Sequence, residues 1–112
     1  MKFESQTHGL VTVLAPHGPL THEEVPRFKQ TAEQAVAQRS GRVVMDLRDV
    51  PYLDSAGIEA LLSLFAPARS TGARPKLARL TDTCREALDL TDALVRLDVF
   101  DTVENAIRSY NR

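Results

Sequence analysis

Cysteine is nearly absent from this chain of 112 residues: Cys84 stands alone. A lone thiol closes no internal disulfide, so a reducing compartment is the simpler assumption. Neither charge is in excess. Fourteen Lys and Arg residues face fifteen Asp and Glu residues, a formal net charge of −1. That balance gives no electrostatic reason to expect nucleic acid or an anionic membrane as the main partner. No window approaches the ~20 apolar residues of a membrane span. The opening MKFESQTHGLVTVLAPHG lacks the sustained apolar centre of a secretion signal. A cytoplasmic protein is expected. Glycine is sparse: none of the five glycines belongs to a G-x-x-x-x-G-K-[ST] or G-x-G-x-x-G phosphate cradle. There is no H-x-x-x-H, no second cysteine and no carboxylate–histidine cluster at ligand spacing, so no metal or other cofactor is expected.

What is present suits one compact α/β domain. The residues are 43% hydrophobic and 26% charged, ordinary for a globular protein. A domain of this length buries roughly two-thirds of its unfolded surface and needs no metal or disulfide. MKFESQT and LVTVLAPHG read as strands in a hairpin around His8-Gly9. Thr21 with Glu24 fits a capping box for a helix whose apolar residues are Val25, Phe28, Ala32, Ala35 and Val36. Pro26 either removes a bond in its first turns or marks a later start. RVVMDL is a near-continuous apolar run, the pattern of a strand covered on both faces. A second helix is expected from about Ser55 to Thr71, with Ile58, Leu61, Leu62, Phe65 and Ala68 as its buried stripe. Pro67 should bend it or end it early, and Gly72 is a stop. RPKLARL reads as a strand and TDTCREALDLTDALV as a helix capped by Thr81 or Asp82, with Cys84 a small core residue. LDVF is a short strand. Asp101 with Glu104 opens a last helix bearing Val103, Ala106, Ile107 and Tyr110 on one face. The order β-β-α-β-α-β-α-β-α implies a mixed, mostly parallel sheet with about four helices, antiparallel only at its start. Functional groups then collect at the carboxyl ends of the strands.

That end of the third strand carries Asp54-Ser55-Ala56-Gly57. Three readings of Ser55 compete. A nucleophile elbow needs G-x-S-x-G, and the first glycine is missing here. A base would have to be His17 or His22, which follow the second strand. Alternatively Asp54 or Ser55 is an N-cap, with Ala56 and Gly57 small because a neighbouring strand passes close. Or Ser55 accepts a phosphate, which at a helix start meets unpaired N–H groups and the positive end of the dipole. A phosphate adds about −1.5 to −2 charges beside Asp49 and Asp54. It would change docking without disturbing the core.

VVMDLRDVPYLDSAGIEALLSLFAPARSTG resembles the signature of the STAS domain, the fold of bacterial anti-sigma-factor antagonists. Asp46-Leu47 and Leu53-Asp54-Ser55-Ala56-Gly57-Ile58 carry the match. GPLTHEEVPRFKQTAEQAV and LVRLDVFDTVENAI are similar to the family's first helix and closing elements, so residues 1–112 are expected to form one such domain. The resemblance implies a protein that acts by binding, not an enzyme. Its partner is an anti-sigma factor with serine kinase activity. Phosphorylation of Ser55 ends the interaction and a serine phosphatase resets it, so transcription is regulated indirectly. Asp46, Asp49, Asp54, Ser55, Ala56, Gly57 and Glu59 are the implied partner-binding residues. The alternative is a structural STAS component of a signalling assembly or a lipid-transport complex, with Ser55 only a cap. One departure stands out: where the family often has a Gly-Glu-Leu-Asp-like run, this chain has Gly18-Pro19-Leu20-Thr21, with no carboxylate until Glu23.

Overall fold

A computed structural model describes residues 1–65 and 73–111. In chain order the elements are β1 (Lys2–His8), β2 (Val11–His17), α1 (Val25–Gln38), β3 (Val43–Asp46), α2 (Ser55–Leu64), β4 (Lys76–Ala78) and α3 (Asp82–Leu90). A short 3-10 helix (Leu94–Arg96), β5 (Val99–Phe100) and α4 (Val103–Arg108) follow. One five-stranded sheet runs in the order β1-β2-β3-β4-β5. β1 and β2 are antiparallel and every later pairing is parallel. This is the mixed α/β sheet that the alternation of patterns implies.

Alternate residues of each strand face opposite sides. Leu14, Met45 and Leu77 align across β2, β3 and β4 and face a core that contains Phe28 of α1, Leu61 of α2 and Leu88 of α3. Val13 aligns with Val44; with Val11 and Ala78 they form a second cluster against Ala106 of α4, flanked by Val103, Ile107 and Tyr110. All four residues of β3 are buried, as its unbroken apolar run requires. β1 pairs on one side only and is largely exposed. Lys2 and Glu4 place charge on this open edge, which discourages pairing with a second chain.

Several local expectations need correction. The hairpin turn falls on Gly9-Leu10, because His8 already pairs with Val11; Gly9 takes a φ of 61°. Thr21 and Glu24 do not form a capping box. Residues 22–24 make a turn instead, helix α1 starts at Val25 and Pro26 falls in its first two positions. The missing N–H of Pro26 costs nothing there, and the Glu24 carboxylate takes the Met1 ammonium at 2.9 Å. Thr102 caps α4 by accepting from the Asn105 N–H, so the expected Asp101–Glu104 pair lies one residue out of place. The third helix breaks after Leu90 and resumes as a 3-10 turn, with Asp92 between them at a φ of 59°. Aspartate tolerates that left-handed geometry better than most residues. Thr81 is its cap. β4 stops at Ala78 because Arg79, at a φ of 57°, leaves the extended region. The expected continuation of α2 through Ala68 to Thr71, the bend at Pro67 and the stop at Gly72 lie outside the described residues.

The last turn is held by Tyr110. Its hydroxyl lies 3.1 Å from the Val43 carbonyl and 3.3 Å from that of Gly41, and it also reaches the Arg74 carbonyl. Burial pushes this phenol well above its ordinary range.

Candidate functional site

The loop from β3 to α2 and the segment after β2 run side by side beyond the sheet. The Gly18 N–H donates to the Asp49 carbonyl at 2.9 Å, the Leu20 N–H to Tyr52 at 3.1 Å, and the Asp54 N–H to the Leu20 carbonyl at 3.2 Å. Leu20 and Leu53 thereby form a short parallel bridge. Residues 17–22 act as a strap along residues 49–54, and Leu20 is fully buried beneath it. Gly57 is small because of this strap: a Cβ there would lie 2.3 Å from the Leu20 carbonyl oxygen.

Asp54, not Ser55, is the N-cap of α2. Its Oδ1 accepts from the Gly57 N–H at 2.9 Å and its Oδ2 from the His22 N–H at 2.9 Å. These two backbone donors, Gly57 first, hold the carboxyl below the usual carboxylate range. The His22 ring adds Nδ1 at 3.7 Å from Oδ2. Ser55 is the first residue of α2 and is exposed. Its hydroxyl has no hydrogen-bond partner among the described residues. The cap and the free hydroxyl are thus adjacent but separate residues.

Asp49 and Glu59 are exposed, Asp54 and Ala56 are half-buried, and Gly57 is buried. Asp46 is buried at the end of β3, where Arg79 engages both its oxygens: Nε lies 3.0 Å from Oδ1, while Nη2 meets Oδ2. That pairing raises the Arg79 guanidinium further, the hydrogen bond to Asp46 being the main cause. The charge of Asp46 is therefore spent inside the domain, and Asp49, Asp54 and Glu59 are the carboxylates among the expected site residues that meet solvent. Neither His17 nor His22 is hydrogen-bonded to the Ser55 hydroxyl. The ring of His17 faces Glu4 and Asp49, and that of His22 faces Asp54.

Arg79 and Leu20 were not assigned to the site from sequence. For Arg79 the available signal was a lone arginine just after a strand that runs parallel to the one ending in Asp46. For Leu20 it was an apolar residue followed by a turn, too common to single out. Among the described residues, no three His, Cys, Asp or Glu side chains group as metal ligands, and no helix is long and apolar enough to cross a membrane.

A sequence model of the STAS domain matches residues 2–106. The chain belongs to the STAS domain family. A search of curated protein sequences finds no match. Among solved structures, a candidate anti-sigma factor antagonist from Thermotoga maritima superposes with a TM-score of 0.87 at 21% identity, covering 98% of this chain and 95% of that one. The anti-sigma factor antagonist SpoIIAA, in its unphosphorylated form, gives 0.68 at 17% identity over 99% and 98% of the two chains. The fold also recurs inside a larger protein: the murine anion transporter Slc26a9 gives 0.72 at 19% identity, with 95% of this chain matching 18% of the transporter. At these identities the likeness establishes the fold.

Proposed function

We propose that this domain is a phosphorylation-controlled anti-sigma-factor antagonist of the bacterial cytoplasm. It binds an anti-sigma factor that is also a serine kinase, and so frees a sigma factor to direct transcription. The kinase moves the γ-phosphoryl group of ATP onto Ser55 Oγ; the hydroxyl proton passes to a base and ADP leaves. A serine phosphatase hydrolyses the ester and restores binding. The domain itself catalyses nothing.

One observation carries this reading: Ser55 is exposed at the first position of α2 and does none of the capping, which Asp54 performs. A kinase reaches such a hydroxyl without unfolding the helix. The phosphate enters a surface already bearing Asp49, Asp54 and Glu59. With about −1.5 to −2 further charges, that surface repels an acidic partner face and becomes expensive to desolvate in any packed interface. Buried Asp46, paired with the half-exposed Arg79, keeps the strand ends fixed meanwhile.

The test is phosphopeptide mass spectrometry with the partner kinase and ATP. Wild type gains one phosphate and Ser55→Ala gains none; Ser55→Asp binds the partner more weakly than wild type. Equal binding by Ser55→Asp refutes the switch. The likeness to a segment of Slc26a9 favours a second reading, a permanent structural STAS component of an assembly. Recovery in a stoichiometric complex with an unmodified Ser55 would select it.

A further inference from the structure

The even count of positive and negative side chains hides their separation by the fold. Arg42 precedes β3 and Arg74 precedes β4, whereas Ser55 and its carboxylates follow β3, at the opposite end of the strands. Arg39 closes α1, and its carbonyl accepts from the Arg42 N–H at 3.0 Å. The loop bearing these two abuts the approach to β4. The Ala73 N–H donates to the Ser40 carbonyl at 3.0 Å, and the Tyr110 hydroxyl reaches the carbonyls of Gly41, Val43 and Arg74 together. Three arginines are therefore rooted at one corner. Arg108, in the last turn of α4, is rooted two residues from Tyr110.

Among the described residues none of these four arginines forms an ion pair. Arg39 donates to the Thr7 hydroxyl at 3.4 Å, Arg74 to the Phe65 carbonyl at 3.3 Å and Arg108 to the Asn105 side-chain oxygen at 3.5 Å. These acceptors are uncharged and leave the positive charge uncancelled. Asp98, which also acts on Tyr110, offsets part of it. The bond to Thr7 ties the turn end of the β1–β2 hairpin to the same corner, as does the Thr12 N–H, which donates to the Arg42 carbonyl at 3.0 Å. Between Thr7 and Thr12 the turn carries Leu10, which is 69% exposed.

We propose that this arginine corner, with Leu10, docks on an anionic lipid surface. The guanidiniums meet headgroup phosphates, and Leu10 enters the boundary between headgroups and acyl chains. A leucine held in water beside uncancelled arginines fits a medium that is negative at its rim and apolar within. Nucleic acid fits less well. Single strands ask for aromatic rings to stack on, and Tyr110, the aromatic side chain of this corner, is tied inward by its hydroxyl. Each arginine near an anionic bilayer is worth about five-fold in binding. Four of them and one leucine give reversible attachment, not a permanent anchor. Attached in this way, the domain turns its Ser55 end away from the bilayer and leaves it open to other proteins. The docking holds whether or not Ser55 takes a phosphate.

Co-sedimentation of the full chain with sucrose-loaded vesicles tests it, at ~0.1 M salt. Vesicles of phosphatidylcholine with about one-third phosphatidylglycerol bind the protein at least about ten-fold better than phosphatidylcholine alone, and added salt releases it. Arg42→Gln and Arg74→Gln each lose about five-fold, and Leu10→Ser loses several-fold. Arg85→Gln, which removes an arginine from α3 near the Ser55 end of the sheet, stays within about two-fold of wild type. Circular dichroism melting confirms that every variant is folded. Equal binding to the two kinds of vesicle overturns the proposal. So does an Arg85→Gln loss as large as that of Arg42→Gln, which would mark diffuse attraction. If Leu10→Ser binds as wild type, or polyuridylate binds more tightly than the vesicles, the corner is a general polyanion surface and the lipid assignment fails. The measurement needs no kinase, so its failure and a failure of Ser55 to take phosphate are read separately.

Discussion

Gly57→Ala sets two effects of opposite sign against each other. Inside a helix, alanine is favoured over glycine by up to about 1 kcal/mol, and propensity alone makes the variant more stable. The packing says otherwise. The new Cβ would sit 2.3 Å from the Leu20 carbonyl oxygen, 3.1 Å from Leu20 Cγ and 3.2 Å from its carbonyl carbon. Comfortable contact between carbon and its neighbours lies near 3.5 Å, so the oxygen must retreat by roughly 1 Å. That oxygen accepts from the Asp54 N–H at 3.2 Å, and the same residue donates to Tyr52 at 3.1 Å. Leu20 itself is fully enclosed. Overpacking of this kind costs about 1–3 kcal/mol, and a stretched hydrogen bond adds about 1 kcal/mol. After the propensity gain the net loss is about 1–3 kcal/mol, a fall in Tm of about 4–12 °C for a domain of this size. Urea titration followed by circular dichroism measures it, with thermal melting as a second readout. A Gly57→Ala protein that unfolds at the wild-type midpoint, or above it, refutes the packing argument and leaves helix propensity in charge.

Other substitutions probe the same region. Leu20→Ala, beneath the strap, loses about 2–5 kcal/mol as a cavity-forming change, measured by the same titration. Asp46→Ala leaves the half-exposed Arg79 guanidinium without its main partner and costs roughly 1–2 kcal/mol, between the values of exposed and buried pairs; a wild-type urea midpoint would show the pair to be idle. Asp54→Ala lowers stability at neutral pH because the cap is lost. Since the folded-state carboxyl of Asp54 titrates below its ordinary value, the wild-type advantage is full above the unfolded value and fades as pH falls through the folded one. Melting curves of both proteins should therefore converge in acid.

The alternation of strands and helices was legible because each period is local: two for the strands, 3.6 for the helices. The Asp54-Ser55-Ala56-Gly57 turn was legible for the same reason, since the cap and its donor are three residues apart. The Asp46–Arg79 pair was not. Its members are 33 positions apart, and they meet only because β3 and β4 are parallel and Arg79 turns left-handed. The reason for Gly57 was half visible: smallness pointed to a close neighbour, but nothing local identified it as the Leu20 carbonyl. His17 was noticed without its partners, because Glu4 and Asp49 arrive from opposite directions along the chain. The two expected capping boxes failed where local spacing competed with geometry. Thr21 was drawn into a turn ahead of Pro26, and Thr102 stood better placed than Asp101.

The division of work at the start of α2 has a practical corollary. A carboxylate fastens the first turn, so its neighbour at 55 is at liberty to vary without the scaffold registering the change. Alanine, threonine and aspartate there should fold alike, which makes the position an uncontaminated reporter: any difference among such variants records how another molecule reads the surface. Under the proposed function, a phosphate on that hydroxyl would come and go at no expense to the architecture that displays it.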